Sequence, residues 1–241
     1  MNEAIYQRTA ALLGDEAVRL LRACHILVLG TGGVGGAAAE QLCRMGVGQL
    51  TLIDGDTVDP TNLNRQAAAL HSTQGLYKAE VLAARFRDIN PDGIFNAEVR
   101  FLKPDECEAL LDRPFDLVVD AIDDVPAKVS FLRWAVEKKI KTVSAMGAGG
   151  KKEISEIRVA DISKTFGDPL ARKVRSELRQ LGVTKGIQAV FSPEPRCQVQ
   201  ALDTIGTISY MPNAFGCHAA AAALKLLLAE TGETAETSAS M

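Results

Sequence analysis

Residues 26–65 read ILVLGTGGVGGAAAEQLCRMGVGQLTLIDGDTVDPTNLNR, and this stretch decides the fold. An apolar run at 26–29 is followed by a glycine-rich turn and then by an alanine-rich segment that is typical of a helix. A second apolar run, at 49–53, ends at Asp54. Strand, glycine turn, helix and strand with a terminal acid together predict a nucleotide-binding α/β unit.

The glycine turn has the features that phosphate groups require. Glycines let the backbone approach phosphate oxygens closely, and the N-terminus of the next helix offers free N–H groups at the positive end of its dipole. The acid that ends the second strand is placed to accept hydrogen bonds from a ribose. We therefore predict nucleotide contacts for Gly30, Gly32, Gly33, Gly35 and Asp54.

The residues after Asp54 favour a triphosphate over a dinucleotide. The default interpretation of the glycine motif is an NAD-dependent dehydrogenase, but hydride transfer does not require further charged groups beside the phosphates. Asp56, Asn64 and Arg65 follow the second strand at the edge where open α/β sheets bind ligands, and Lys78 comes one segment later. Cations stabilise the transition state of triphosphate cleavage, so these residues favour a nucleoside triphosphate as the ligand.

Strand-type and helix-type segments alternate along the chain, which predicts right-handed crossovers. We expect an α/β, Rossmann-like, doubly wound and mostly parallel sheet, with an additional C-terminal strand and loop region and a basic helix. The predicted strands are 25–29, 50–53, 94–99, 115–122, 140–146 and 154–159, followed by irregular strands and loops at 186–212. The predicted helices are 3–22, 33–45, one from a cap at Ser72 or Thr73 to residue 90, a short one that begins at Pro104, 126–138, 167–181 and 214–229.

Length and composition fit one large domain. The chain has 241 residues, of which 47% are hydrophobic and 24% are charged. We predict a single domain at 1–229, in which 26–160 forms the nucleotide-binding core and 161–212 faces the substrate. The polar stretch at 230–241 is predicted to be a disordered tail.

Charge and cysteine content narrow the functional classes. The net charge is -3, so any affinity for nucleic acid has to come from a local patch. The five cysteines match neither a disulfide framework nor a CxxC zinc pair. With no signal peptide and no apolar segment long enough to span a bilayer, we expect a cytoplasmic protein. Cys197 is a loop cysteine beside a cation, Arg196, but an unreactive thiol is the simpler interpretation.

Three motifs resemble a known superfamily. They are DGDTVDPTNLNRQ at 54–66, STQGLYKAEV at 72–81 and DAIDD at 120–124. These are similar to the motifs of the ubiquitin-activating-enzyme-like adenylating enzymes, which include the bacterial ThiF and MoeB proteins. The resemblance implies an enzyme that adenylates a carboxylate with ATP and magnesium.

The resemblance also implies roles for individual side chains. Arg65 and Lys78 match the phosphate ligands of the superfamily, and both match catalytic positions. Asp123 matches the acid that holds magnesium, and it aligns better than its neighbours Asp120 and Asp124. Without the resemblance, the two cations would be interpreted as solvated surface charges and the acid as a helix cap.

The N-terminal sequence YQR at 6–8 resembles a Y-x-R motif of the same superfamily. There the arginine enters the active site of the partner subunit, which implies that Arg8 is catalytic and that the working unit is a homodimer. The alternative from the residues alone is a surface arginine on the N-terminal helix.

The second half of the chain resembles one branch of the superfamily, the tRNA threonylcarbamoyladenosine dehydratases. The matching segments are VADISKTFGDPLARKVRSELRQ at 159–180, AVFSPEP at 189–195 and GTISYMPNAFG at 206–216. In that branch the substrate is a modified adenosine next to the tRNA anticodon, so tRNA is the implied partner. The stretch between Pro195 and Gly206 is short and departs from the branch.

A basic face on the helix predicted at 167–181 agrees with an RNA partner. Arg172, Arg175 and Arg179 share one side of this helix in an otherwise acidic protein. Such a stripe is interpreted either as a solvated helix face or as a surface that binds phosphate backbone.

The resemblance thus implies ATP-dependent dehydration, by cyclisation, of threonylcarbamoyladenosine in tRNA. One alternative is an adenylyltransferase that activates the C-terminus of a ubiquitin-like sulfur-carrier protein, with sulfur-transfer proteins as partners. The absence of zinc-binding CxxC pairs counts against it. The others are an NAD-dependent dehydrogenase and a non-catalytic adaptor that keeps the nucleotide fold.

Overall fold

Seven strands form one sheet in the computed structural model, which describes residues 3–197 and 205–238. They are β1 (His25–Leu29), β2 (Gln49–Ile53), β3 (Ile94–Glu98), β4 (Leu117–Asp120), β5 (Lys141–Ala145), β6 (Arg158–Asp161) and β7 (Gln188–Phe191). Their order across the sheet is β3-β2-β1-β4-β5-β7-β6, and only the last pair is antiparallel. The prediction of a Rossmann-like, mostly parallel sheet is confirmed, and the C-terminal region adds the antiparallel edge.

Helices cover both faces of the sheet. They are α1 (Gln7–Leu13), α2 (Asp15–Ala23), α3 (Gly33–Met45), α4 (Lys78–Ile89), α5 (Cys107–Leu110), α6 (Val125–Glu137), α7 (Pro169–Gln180) and α8 (Tyr210–Ser238). One apolar layer lies between the sheet and α3, α4 and α8, and a second lies between the sheet and α5, α6 and α7. In the parts of the chain that the structure describes, no helix has the length and apolar character needed to cross a membrane.

Two predicted helices differ from the structure in their bounds. The helix predicted at 3–22 is divided into α1 and α2 by Gly14, whose φ of 85° lies outside the helical region. The cap predicted at Ser72 or Thr73 is wrong, because the helix begins at Lys78. Ser72 and Thr73 lie in a separate 3-10 turn, His71–Thr73, and Tyr77, which pairs with Thr57 in an isolated bridge, has extended backbone.

The C-terminal half shows two further differences. The strand predicted at 154–159 begins only at Arg158, because Ile154–Glu156 forms a 3-10 turn. The last helix begins at Tyr210 and continues to Ser238, and therefore enters the stretch predicted as a disordered tail. Alanine and glutamate favour a helix there and no proline interrupts it, although Gly232 and the threonines are weaker helix formers. Within the loop region predicted at 186–212, residues 198–204 lie outside the described part of the chain.

The first turn of α3 approaches the ends of β1 and β4 very closely. A Cβ atom built on Gly35 would lie 1.9 Å from the carbonyl oxygen of Gly30. Gly30 has a φ of 77°, and a Cβ atom there would lie 2.8 Å from the carbonyl oxygen of Ala121. Only glycine fits either position, because both obstacles are backbone atoms. The glycine spacing of the motif therefore brings helix and strands together.

We expect Gly35→Ala to lower the free energy of unfolding by about 1–3 kcal/mol, since overpacking against backbone forces the helix away from the sheet. Urea unfolding followed by circular dichroism measures this difference. Gly32→Ala is the matched control, because its Cβ atom would approach nothing closer than 3.9 Å. Equal stability of the two variants would contradict the packing role of Gly35.

Candidate active site

A cavity of about 930 Å³ opens at the carboxyl ends of β1, β2, β4 and β5. In the sheet, β2 and β3 lie on one side of β1, and β4 and β5 lie on its other side. The cavity therefore lies at the point where the strand order reverses. Register pairs Leu29 with both Ile53 and Asp120, which places the ends of these strands at one level. Most of the predicted nucleotide ligands lie in its wall: Gly30, Gly32, Gly33, Asp54, Asp56, Arg65, Lys78 and Asp123.

Two of the predicted ATP ligands do not line this cavity. Gly35, in the first turn of α3, is buried against the backbone of Gly30, so its position serves packing. Asn64 is turned toward its neighbours: its Oδ1 accepts from Arg65 Nη1 at 2.8 Å, and its Nδ2 donates to the Thr207 carbonyl at 3.1 Å. The structure therefore places Asn64 as a support for Arg65 and for the segment before α8.

Asp54 is buried and already oriented by three donors. Its Oδ2 accepts from the backbone N–H of Thr31 at 2.6 Å and from the Thr31 hydroxyl at 2.9 Å. Its Oδ1 accepts from the backbone N–H of Asp56 at 2.8 Å. A carboxylate offers about four acceptor positions, so acceptor capacity remains for a ligand hydroxyl. The arrangement suits the predicted contact with a ribose.

Lys78 is held in the cavity wall by Asp56. Its ammonium lies 2.8 Å from Asp56 Oδ2, and the side chains are 7% and 53% exposed, respectively. The backbone N–H of Lys78 also donates to the Asp56 carbonyl at 3.0 Å, at the first residue of α4. An ammonium has three donors, so Lys78 keeps donors for a bound anion.

Arg65 is fixed from two sides. Its Nη1 donates to the Thr61 carbonyl at 3.0 Å as well as to Asn64, and its own carbonyl accepts from Asn213 Nδ2 at 3.2 Å. Asn62, in the same loop, caps the 3-10 turn by accepting from the Asp59 backbone at 3.1 Å. The first turn of α8 thus secures the loop that carries the cation.

Gln66 is a candidate ligand that the sequence interpretation missed, although it belongs to the DGDTVDPTNLNRQ motif. Its side chain lines the cavity beside Gly32 and Arg65. It is 9% exposed, and its Oε1 has no hydrogen-bond partner among the described residues. A buried amide without a partner is costly, which marks Gln66 as a residue that a ligand or ordered water completes.

Asp123 stands at the end of β4 with a free carboxylate. It is exposed in the cavity wall and makes no hydrogen bond or ion pair with any residue in the described ranges. Its neighbour Asp124 is the N-cap of α6, where it accepts from the Ala127 backbone at 2.9 Å. The two acids therefore differ: Asp124 caps the helix, and Asp123 is left free for a ligand.

A buried ion pair holds the loop that carries Asp123. Lys128 Nζ lies 2.7 Å from Asp120 Oδ2, and both side chains are 0% exposed. The same ammonium donates to the Ile122 carbonyl at 3.0 Å, and Ser144 Oγ donates to Asp120 at 2.6 Å. Asp120 therefore joins β4 to β5 through Ser144 and to α6 through Lys128, and Lys128 also holds the chain just before the free acid at the Ile122 carbonyl. The sequence contains no local signal for this pairing.

The cavity fits magnesium only together with phosphate groups. Across the described ranges, no cluster of three or more His, Cys, Asp or Glu side chains is placed to hold a metal ion. Magnesium is commonly bound through one or two carboxylates plus substrate phosphates. Asp123 is a hard oxygen donor without another partner and meets that requirement.

The remaining predicted residues lie outside the cavity wall. Arg8 is exposed on α1, so its predicted catalytic role depends on a partner subunit. Arg172 and Arg179 are exposed on α7. Arg175 is half-buried and donates to the carbonyl of Thr165, at 2.8 Å, and to its hydroxyl. The structure therefore gives Arg175 a structural contact, whereas the side chains of Arg172 and Arg179 make no hydrogen bond or ion pair with any described residue.

The cysteines divide into buried and exposed thiols. Cys24, Cys43 and Cys107 are buried, and Cys197 and Cys217 are exposed. Burial raises the pKa of Cys43 to about 12 and that of Cys24 to about 11. These two thiols stay protonated near neutral pH and are poor nucleophiles. Of the five, none lines the cavity.

The profile of the ThiF family matches residues 6–240. This chain belongs to the ThiF family. The tRNA threonylcarbamoyladenosine dehydratase of Escherichia coli (strain K12) is 42% identical over 204 residues, which are 82% of this chain and 76% of that protein. The dehydratase of the same name from Bacillus subtilis (strain 168) is 41% identical over 189 residues, 78% of this chain and 74% of that protein. The predicted resemblance to this branch of the ThiF family is confirmed.

Solved structures agree with the sequence comparison. The crystal structure of the E. coli dehydratase in complex with ATP matches this ThiF-family chain with a TM-score of 0.91, at 38% identity and over 96% of both chains. The complex of the same enzyme with AMP gives the same TM-score at 39% identity. The match extends to the C-terminal region and the last helix, beyond the nucleotide-binding half.

We expect Lys128→Met to lower the free energy of unfolding by about 3–5 kcal/mol, because it leaves the Asp120 carboxylate buried without a partner. Chemical denaturation measures the effect. Lys138→Met is the control: Lys138 pairs with Asp112, whose side chain is 69% exposed, so the loss should stay below about 1 kcal/mol. The double variant Asp120→Asn, Lys128→Met should recover part of the stability. Equal effects of the two lysine variants would contradict the role assigned to the buried pair.

Proposed function

We propose that this protein is an ATP-dependent tRNA threonylcarbamoyladenosine dehydratase. One observation carries the proposal: a single cavity collects two oriented cations, Arg65 and Lys78, and a free carboxylate, Asp123, at the topological switch point of the sheet. Relatives that carry this name are 41% and 42% identical to the chain. A crystal structure of one of them contains ATP, which supports ATP as the nucleotide.

The proposed reaction begins with adenylation. A carboxylate oxygen of the threonyl group attacks the α-phosphorus of ATP, and pyrophosphate leaves. Lys78 and Arg65 stabilise the charge that develops on the phosphate oxygens, since preorganised cations act most strongly in a partly enclosed site. Asp54 orients the ribose through its remaining acceptor position. Asp123 would hold magnesium, which would supply further positive charge for the phosphate oxygens.

Cyclisation completes the reaction without a covalent protein intermediate. The carbamoyl group of the same nucleoside attacks the activated acyl carbon, and the bond to AMP breaks. The carbamoyl group loses one proton and AMP carries away one carboxylate oxygen, so the net change is loss of water. The two groups belong to one molecule, which gives a high effective concentration. This route requires no cysteine, in agreement with a cavity wall that contains none.

The proposal includes a surface that binds tRNA and a homodimer as the working unit. The exposed arginines of α7, Arg172 and Arg179, bind tRNA phosphates, while Arg175 holds the helix to Thr165. Arg8 acts in the cavity of a second copy of the chain, so the working unit is a homodimer. The enzyme works in the cytoplasm, where its tRNA substrate occurs. The chain is organised as one adenylating domain in which 161–212 faces the RNA.

A sulfur-carrier adenylyltransferase is the second candidate, with sulfur-transfer proteins as its partners. The chain is 30% identical to a Pyricularia oryzae protein named adenylyltransferase and sulfurtransferase uba4, but it spans only 36% of that protein. Zinc-binding CxxC pairs are absent from the sequence. An NAD-dependent dehydrogenase does not need Arg65 and Lys78 beside the phosphates, and a non-catalytic adaptor does not need them oriented.

Mass spectrometry of nucleosides tests the proposal. We expect tRNA that carries threonylcarbamoyladenosine to lose one water per modified nucleoside when incubated with the protein, ATP and magnesium. Asp123→Asn should lower the rate by about 100-fold or more. Asparagine lacks the negative charge that would hold magnesium, so the charge that develops on the phosphates in the transition state is less stabilised. Asp124→Asn is the matched control, since asparagine also caps helices. No change in the nucleoside, with ATP–pyrophosphate exchange on a small carrier protein, would favour the second candidate.

A further inference from the structure

The cavity continues past the region of the predicted nucleotide ligands. Beyond Asp123 its wall is formed by Met146–Gly149 after β5, by Leu170 in the first turn of α7, by Ile205 and by Arg196. We call this part the β5 lobe. Its surface is apolar or backbone, and Arg196 brings the charge. A ligand for such a surface has an apolar or planar body and an anionic group.

A buried ion pair holds the elements that form the β5 lobe together. The ammonium of Lys151 lies 2.6 Å from Asp168 Oδ2 and 2.5 Å from the Ser192 carbonyl, with side chains of Lys151 and Asp168 that are 0% and 1% exposed. Asp168 also caps α7 by accepting from the Ala171 backbone at 2.9 Å. This buried pair joins the loop after β5 to α7 and to the end of β7. The lobe is therefore held in place before any ligand binds.

Glycines keep the floor of the β5 lobe open and bring Arg196 onto it. The backbone of Gly150 accepts from Cys197 N–H at 2.7 Å and donates to Gly206 at 2.8 Å. Cβ atoms built on Gly150 and Gly147 would lie 3.2 Å from Arg196 Cγ and 3.6 Å from Arg196 Nη2. The arginine side chain therefore runs along the loop toward the end of β5.

The guanidinium of Arg196 is available to a ligand. It makes no hydrogen bond or ion pair with any residue in the ranges 3–197 and 205–238. The nearby acid Asp168 is engaged by Lys151, and Glu194 accepts from the backbone of Lys152 at 3.0 Å. These two carboxylates are thus engaged by other donors. Guanidinium groups recognise carboxylates and phosphates through a planar fork of donors.

We infer that the β5 lobe binds the threonylcarbamoyl arm of the substrate nucleoside and that Arg196 holds its carboxylate. This inference rests on the proposed function, because the carboxylate in question is the group that is adenylated. Arg196 binds one carboxylate oxygen and leaves the other free to attack the α-phosphate beside Asp123. The ion pair is lost when the acyl group becomes neutral on adenylation, so Arg196 contributes to substrate binding and specificity.

Arg196→Met tests the inference in kinetic measurements with modified tRNA. A hydrogen-bonded charge contributes about 1.5–3 kcal/mol, so kcat/KM should fall about 10- to 100-fold. The affinity for ATP and the slope of binding against salt concentration should stay unchanged. Arg172→Met, on the exposed face of α7, should instead reduce that slope by about one, as expected for a lost phosphate contact. Arg19→Met, exposed on α2, is the control.

A binding experiment separates this inference from the proposed function. Calorimetry with a non-hydrolysable ATP analogue compares free threonylcarbamoyladenosine with its methyl ester. The wild type should prefer the acid, and Arg196→Met should lose the preference, whether or not the nucleoside is ever converted. Conversion without any loss in Arg196→Met would overturn the inference and leave the function standing. A lower salt slope in Arg196→Met, or weaker ATP binding, would also overturn it, by assigning Arg196 to RNA phosphates or to the nucleotide.

Discussion

The close approach of α3 to the ends of β1 and β4 is the constraint on which the rest of the site depends. Gly35 and Gly30 meet with no room for a side chain, and Gly30 also lies against the carbonyl of Ala121. This contact places the N-terminus of α3 at the strand ends and leaves open space in front of it. The cavity exists because glycines, which have no side chains, stand where α3 crosses the ends of β1 and β4. Asp54 and Asp123 lie at the ends of the strands on either side of β1, so the same contact sets the space between them.

Two buried ion pairs fix the loops at the other end of the cavity, after β4 and after β5. Lys128 with Asp120 supports the loop of Asp123, and Lys151 with Asp168 joins the loop after β5 to α7. Burying a charge is costly unless it is paired and hydrogen-bonded, and both ammonium groups also donate to backbone carbonyls. The pairs therefore hold irregular loops in defined positions, which suits a cavity that has to align a triphosphate with an acceptor carboxylate.

Much of the fold and part of the site could be predicted from the sequence, for identifiable reasons. Alternating apolar segments predict the parallel sheet, and parallel strands bring their carboxyl ends to one edge, which explains why Arg65, Lys78 and Asp123 line one cavity. A motif does not show which of its residues reach the cavity: Asn64 and Gly35, predicted as ligands, do not line its wall, and they contact Arg65 and Gly30 instead. Lys128 pairs with Asp120 and Lys151 pairs with Asp168, each on a different element of the fold. No local sequence pattern predicts such pairs.

Isotope tracing through the reaction tests the central claim, adenylation of a substrate carboxylate in this cavity, most directly. Threonylcarbamoyladenosine in tRNA is labelled with ¹⁸O in its carboxylate and incubated with the protein, ATP and magnesium. The account predicts that one labelled oxygen is recovered in the phosphate of AMP, because the carboxylate attacks the α-phosphorus and the ring closure breaks the bond to carbon. Unlabelled AMP, or label in inorganic phosphate, would contradict the account, since ATP would then be cleaved without an acyl-adenylate.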